Sequence, residues 1–225
     1  MGAFRQAMAY DTVQWIELDV QLSRDGIAVV IHDDKLQRTA GVKGFVGEKT
    51  AEELQRLDAG RWFGKSFAGE RIPLLEEVLE ATSGRCRLNV ELKTYGGRYP
   101  GIEQTVVELL HARALQHDAV ITSFDGESLR RVRAISPDIR TGLIIDAAPP
   151  SLLDELQRLD CGFLSIGYRH LNAQRMEAIK GAGIETMAWT VNDPAAMRKL
   201  AAIDPDIMIC TNYPDRWEQV FAAGI

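Results

Sequence analysis

Cysteine is scarce in this sequence: Cys86, Cys161 and Cys210 are the three in 225 residues. An odd, widely spaced set excludes a disulfide framework and has no metal-ligand spacing. It reads as reduced thiols that pack as small hydrophobes, as expected of a cytoplasmic protein. Long apolar runs are also missing. None approaches the ~20 residues of a membrane span, so no integral membrane segment is expected, and no signal-peptide pattern is visible. Positive charge is in deficit: Lys and Arg total 26 against 32 Asp and Glu, a net charge of −6. That argues against a nucleic-acid partner, which needs a basic face. An anionic small-molecule substrate would need a local cation to receive it.

What is present is a rhythm. Short apolar runs, "WIELDVQL" (15–22), "LNVELK" (88–93), "AVITSF" (119–124), "TGLII" (141–145), "GFLSIG" (162–167), "ETMAWTV" (185–191) and "DIMICT" (206–211), alternate with amphipathic stretches of helical period. Thr50 and Glu53 fit a capping box. Asp193-Pro194 fits a helix start, and Gly181 and Gly183 fit a helix stop. Such alternation predicts parallel strands with helices outside, in one domain over residues 1–225. "RDGI" (24–27) is the Asp-Gly signature of a two-residue hairpin, so "IAVVIHD" (27–33) should run antiparallel to the first strand. Seven parallel strands remain. A (β/α)8 TIM-type barrel has eight, so the first barrel strand is expected to be missing. Two open sheet edges would then invite pairing with another chain, including a homo-oligomer. Residues 34–80 carry no strand of the parallel set and are expected as an insertion over one end of the barrel.

Residues two apart on a strand share a face. Trp15, Glu17 and Asp19 therefore point one way, and Ile16, Leu18 and Val20 pack against helices. "NVELK" repeats this with Asn89, Glu91 and Lys93. Three inward carboxylates without a cation would be costly. Converging oxygen ligands suit a hard divalent ion, Mg²⁺ or Ca²⁺. The alternative is a buried ion pair of Glu17 with Lys93, which leaves two carboxylates unaccounted for. With Asp25-Gly26 as the turn, Asp19 faces His32, although a bulge would shift that register by one. His111 and His117 read as structural, and His170 follows a strand. Trp189, near a strand's C-terminal end, either lines a pocket or fills the barrel.

"IELDVQLSRDGIAVVIHDDKLQRT", "LQRLDAGRWF", "ERIPLLEEVL", "LNVELK", "WTVN" and "TNYPD" together resemble the glycerophosphodiester phosphodiesterase family from about Phe4 onward. The resemblance implies a (β/α)8 barrel with a small insertion after the hairpin. It also implies hydrolysis of glycerophosphodiesters to glycerol 3-phosphate and an alcohol. Glu17, Asp19 and Glu91 would be metal ligands, His32 one of two catalytic histidines, and Lys93 a phosphate contact. The family pattern opens with a strand ending in His-Arg-Gly, which this sequence does not contain. Impaired turnover is the expectation, with a non-catalytic phosphodiester-binding barrel as the alternative. Leu74 stands where the family often has a polar helix cap.

Overall fold

The computed structural model describes residues 1–222. The strands are β1 (Trp15–Leu22), β2 (Ala28–Val30), β3 (Arg87–Leu92), β4 (Ala119–Ser123), β5 (Arg140–Ile145), β6 (Phe163–Gly167), β7 (Glu185–Trp189) and β8 (Met208–Ile209). They form one sheet in the order β2-β1-β3-β4-β5-β6-β7-β8. β2 is antiparallel to β1, and the other neighbours pair in parallel. Seven parallel strands with helices between them give the expected (β/α)8 TIM-type architecture. Among the described residues β1 and β8 are not hydrogen-bonded to each other. A groove of about 1020 Å³ separates them, with Trp15 and Glu17 on one bank and Met208 and Cys210 on the other.

The alternation seen in the sequence sorts the side chains. Ile16, Leu18 and Val20 of β1 and Leu88, Val90 and Leu92 of β3 are buried in one cluster. The same cluster takes Leu75, Val78 and Leu79 of the helix Leu75–Thr82 and Val106 and Leu110 of the helix Ile102–Ala112. The opposite face fills the barrel. Val120, Phe163 and Met187 form a plug with Trp15, Met208 and Cys210 around it. Gly142 makes room for that plug, because a Cβ there would lie 2.8 Å from the Phe163 ring.

Local signals set several boundaries. Thr50 Oγ1 accepts the Glu53 N–H and Glu53 accepts that of Thr50, so the capping box forms at Ala51–Gln55. Asp193 caps Pro194–Ile203 by accepting the Ala196 N–H. Leu74 offers no cap, and Glu77 alone accepts its N–H at 2.9 Å. Residues 34–74 carry their own small core of Leu36, Val46, Leu54 and Ile72, packed on Val29 and Ile31 of the hairpin.

The hairpin corrects one expectation. Its loop has three residues, 24–26, closed by Ser23 N–H donating to the Ile27 carbonyl at 3.0 Å. The Ser23 hydroxyl accepts the Ile27 N–H and donates to Asp25, and Gly26 takes φ +77°. These local bonds favour the longer loop over the two-residue turn. Val20 therefore faces Val30, and Asp19 aligns with Ile31 rather than His32.

Candidate active site

β1 and β3 pair in parallel with Glu17 opposite Asn89 and Asp19 opposite Glu91. All four are on the inward face, so the pairing alone stacks three carboxylates on one wall above the apolar plug. Carboxylate oxygens of Glu17, Asp19 and Glu91 lie within 4.8 Å of one another. Lys93, one step beyond β3, reaches Asp19 Oδ1 at 3.0 Å and Glu91 Oε1 at 2.5 Å. It leaves Glu17 alone: among the described residues no ion pair reaches that carboxylate. The Glu17–Lys93 ion pair, the alternative to a metal site, does not form, and Lys93 instead bridges the other two acids.

The electrostatics follow. Burial, then the charges of Asp19 and Glu91, push the Glu17 carboxyl up to about 8. Burial also raises Glu91, with Lys93 working in the other direction. Burial opposes the charge on Lys93, but Asp19 and Glu91 hold its ammonium above the ordinary value. Cys210, on the far bank of the groove, is pushed up to about 12 by burial and by Glu17 and Asp19. It is therefore no thiolate nucleophile.

His32 stands beside this wall. Its side chain is 63% exposed and its Nδ1 lies 2.8 Å from Asp33 Oδ1. Asp33 is held well below the usual carboxylate range, at about 2, by Arg38, whose Nε donates to it at 2.5 Å. Positive charge on the His32 ring would act to lower the Glu91 carboxyl. Trp189 ends β7 half-buried, with its ring 6.1 Å from that of Phe124. Its indole N–H is buried and has no partner among the described residues. His111 bonds Ser136 at 2.8 Å on the outer helices, and His170 lies 3.3 Å from Asp146.

Comparison with known proteins bears on this arrangement. Residues 1–216 match the glycerophosphoryl diester phosphodiesterase family. The chain belongs to that family. The Bacillus subtilis (strain 168) protein YhdW is 39% identical over 204 residues, covering 89% of this chain and 83% of that one. A glycerophosphodiester phosphodiesterase of Caldanaerobacter subterraneus subsp. tengcongensis is 35% identical over 216 residues, covering 96% and 88%. A solved Oleispira antarctica phosphodiesterase, in complex with the product sn-glycerol-3-phosphate, superposes with a TM-score of 0.88. It is 31% identical, with 98% of this chain and 89% of that one covered.

Within this member of the glycerophosphoryl diester phosphodiesterase family, the structure gathers Glu17, Asp19, Glu91 and Lys93 into one cluster, with His32 at its rim. Sequence reasoning passed over four neighbours. Gln21 continues the inward stripe of β1, and its amide bonds the carbonyls of Ile31 and His32. Asp33 follows His32 directly, and its role was legible in the His-Asp dipeptide. Tyr95 and Tyr99 gave no signal, because their partners lie 63 and 78 residues away.

Proposed function

We propose that this chain hydrolyses glycerophosphodiesters to glycerol 3-phosphate and an alcohol, with Mg²⁺ or Ca²⁺ held by Glu17, Asp19 and Glu91. The observation that carries this is the cluster itself. A half-buried carboxylate such as Glu17, crowded by two other acids and with no ion-pair partner of its own, fits a site built for a hard divalent ion. When bound, such an ion supplies positive charge to a phosphate oxygen and to the attacking oxygen.

The chain's own residues do the rest. Lys93 offers an ammonium beside the carboxylates, where it offsets the remaining phosphate charge. His32 keeps Nδ1 on Asp33, which leaves Nε2 to take or give a proton at a reacting oxygen. The half-buried Trp189 indole, at the end of β7, supplies a wall for substrate.

The test is release of glycerol 3-phosphate from glycerophosphocholine with Mg²⁺ or Ca²⁺, in the wild type and in Asp19→Asn and Glu91→Gln. Release that depends on the metal and on both carboxylates supports the reading. A folded wild-type protein that releases nothing with either metal overturns it. One observation favours a second reading. Among the described residues His32 is the single histidine acting on the carboxylate wall, so proton transfer has one agent. That suits slow turnover, or phosphodiester binding without hydrolysis, which calorimetry with glycerophosphocholine would register as saturable heat without product.

A further inference from the structure

Gln21 has no exposed surface. A buried amide needs its hydrogen bonds met, and this one meets them on two successive carbonyls and a tyrosine hydroxyl. Its Nε2 donates to the Ile31 carbonyl at 2.8 Å and to the His32 carbonyl at 3.0 Å. Its Oε1 accepts from the Tyr99 hydroxyl at 2.6 Å. From the other side, the Tyr95 hydroxyl donates to the same His32 carbonyl at 2.7 Å. That oxygen has two lone pairs, and both are taken.

The donors come from different elements. Gln21 is on β1 with the carboxylates, and Tyr95 is two residues beyond Lys93. Tyr95 adopts φ +43°, an uncommon conformation for an aromatic residue. Gly96 and Gly97 follow at φ +70° and +88°, which shapes a loop that turns the phenol back onto His32. Backbone strain kept at such a place needs surrounding structure to hold it. The Arg98 guanidinium lies 4.7 Å from the Phe45 ring centroid and 5.8 Å from that of Tyr95.

The imidazole itself is mostly exposed, so packing does little to fix it. Its place is set by its main chain and by Asp33. We infer that Gln21, Tyr95 and Tyr99 are positioning residues that pin the His32 peptide to β1 and to the Lys93 loop, so that the imidazole, the carboxylates and the ammonium keep one geometry. The inference rests on the proton-transfer role proposed for His32. Its first readout, however, needs neither metal nor turnover.

The experiment uses the full chain labelled with ¹³C-histidine, in the wild type, Tyr95→Phe and Gln21→Met. Tyr95→Phe removes one oxygen from a partly exposed side chain, so it serves even where Gln21→Met folds poorly. The expected result is a melting temperature near the wild type for Tyr95→Phe, with the His32 ring resonances shifted or broadened. Resonances of the distant His111 should not move. For glycerol 3-phosphate release, kcat should fall about tenfold with KM little changed, since misplacing one reacting group costs rate more than binding. Unchanged His32 resonances in Tyr95→Phe would overturn the inference. A wild type that releases no product would count against the proposed hydrolysis, while the resonances would still decide the positioning role.

Discussion

The ammonium of Lys93 lies 3.0 Å from Asp19 Oδ1. Glu17, two residues earlier on the same face of β1, makes no ion pair among the described residues. One strand thus presents one neutralised acid and one that is not. Each behaves differently when metal, proton or partner is removed.

Lys93→Met keeps most of the aliphatic stem and deletes the charge. Asp19 and Glu91 then face each other unpaired on adjacent strands. Breaking a buried pair from one side costs about 3–5 kcal/mol. Calorimetric melts in chelator should show a clear loss of stability, partly restored by Mg²⁺ or Ca²⁺. A melt identical to the wild type would mean the bridge contributes nothing.

Protonation of Glu17 ties stability to pH in the metal-free protein. Its carboxyl is raised from 4.5 to about 8, so the folded chain holds a proton that the unfolded chain gives up. The stability it contributes is fully present below about pH 4.5. It drains away between 4.5 and about 8, and is lost above that window. In chelator, the wild-type melting temperature should fall across this window more steeply than that of Glu17→Gln. Parallel curves would contradict the assignment.

Metal binding should expel that proton. Titration calorimetry with Mg²⁺ or Ca²⁺ below pH 8 should give heats that vary with buffer ionisation enthalpy, and affinity should rise with pH. In Glu17→Gln the buffer dependence should largely disappear and the affinity should drop.

His32→Asn removes the proton-transfer group while leaving the carboxylate wall intact. The ring is mostly exposed, so the melting temperature should hold. Glycerol 3-phosphate release should fall by roughly 10²–10⁴-fold. A loss of less than about tenfold would remove His32 from the chemistry.

Phe163 is fully buried at the centre of the plug. Phe163→Ala should lower stability by about 3–5 kcal/mol in urea unfolding. A cost below about 1 kcal/mol would show that the plug collapses around the cavity.

The inward and outward faces of β1 and β3 were legible because strand alternation is a purely local rule: Ile16, Leu18 and Val20 could go nowhere else. Helix starts at Thr50 and Asp193 were legible for the same reason, since a cap and its N–H lie three residues apart. The hairpin register was not. It turned on whether the Ser23 hydroxyl or the Asp25-Gly26 pair governed the loop, and the hydroxyl won. Nor could sequence show that Lys93 would bridge Asp19 and Glu91, because both geometries satisfy the same alternation. The last strand shrank from the anticipated residues 206–211 to Met208–Ile209, the two positions that pair with β7.

The wall of this barrel is a split ring rather than a hoop, since β1 and β8 share no hydrogen bond. One lip of the split carries two of the three acids. Yet Asp19 meets Glu91 within the β1–β3 ladder, never across the slit. Widening or narrowing the slit therefore changes how freely water reaches Met208 and Cys210, while the spacing of the acids stays locked by main-chain bonds.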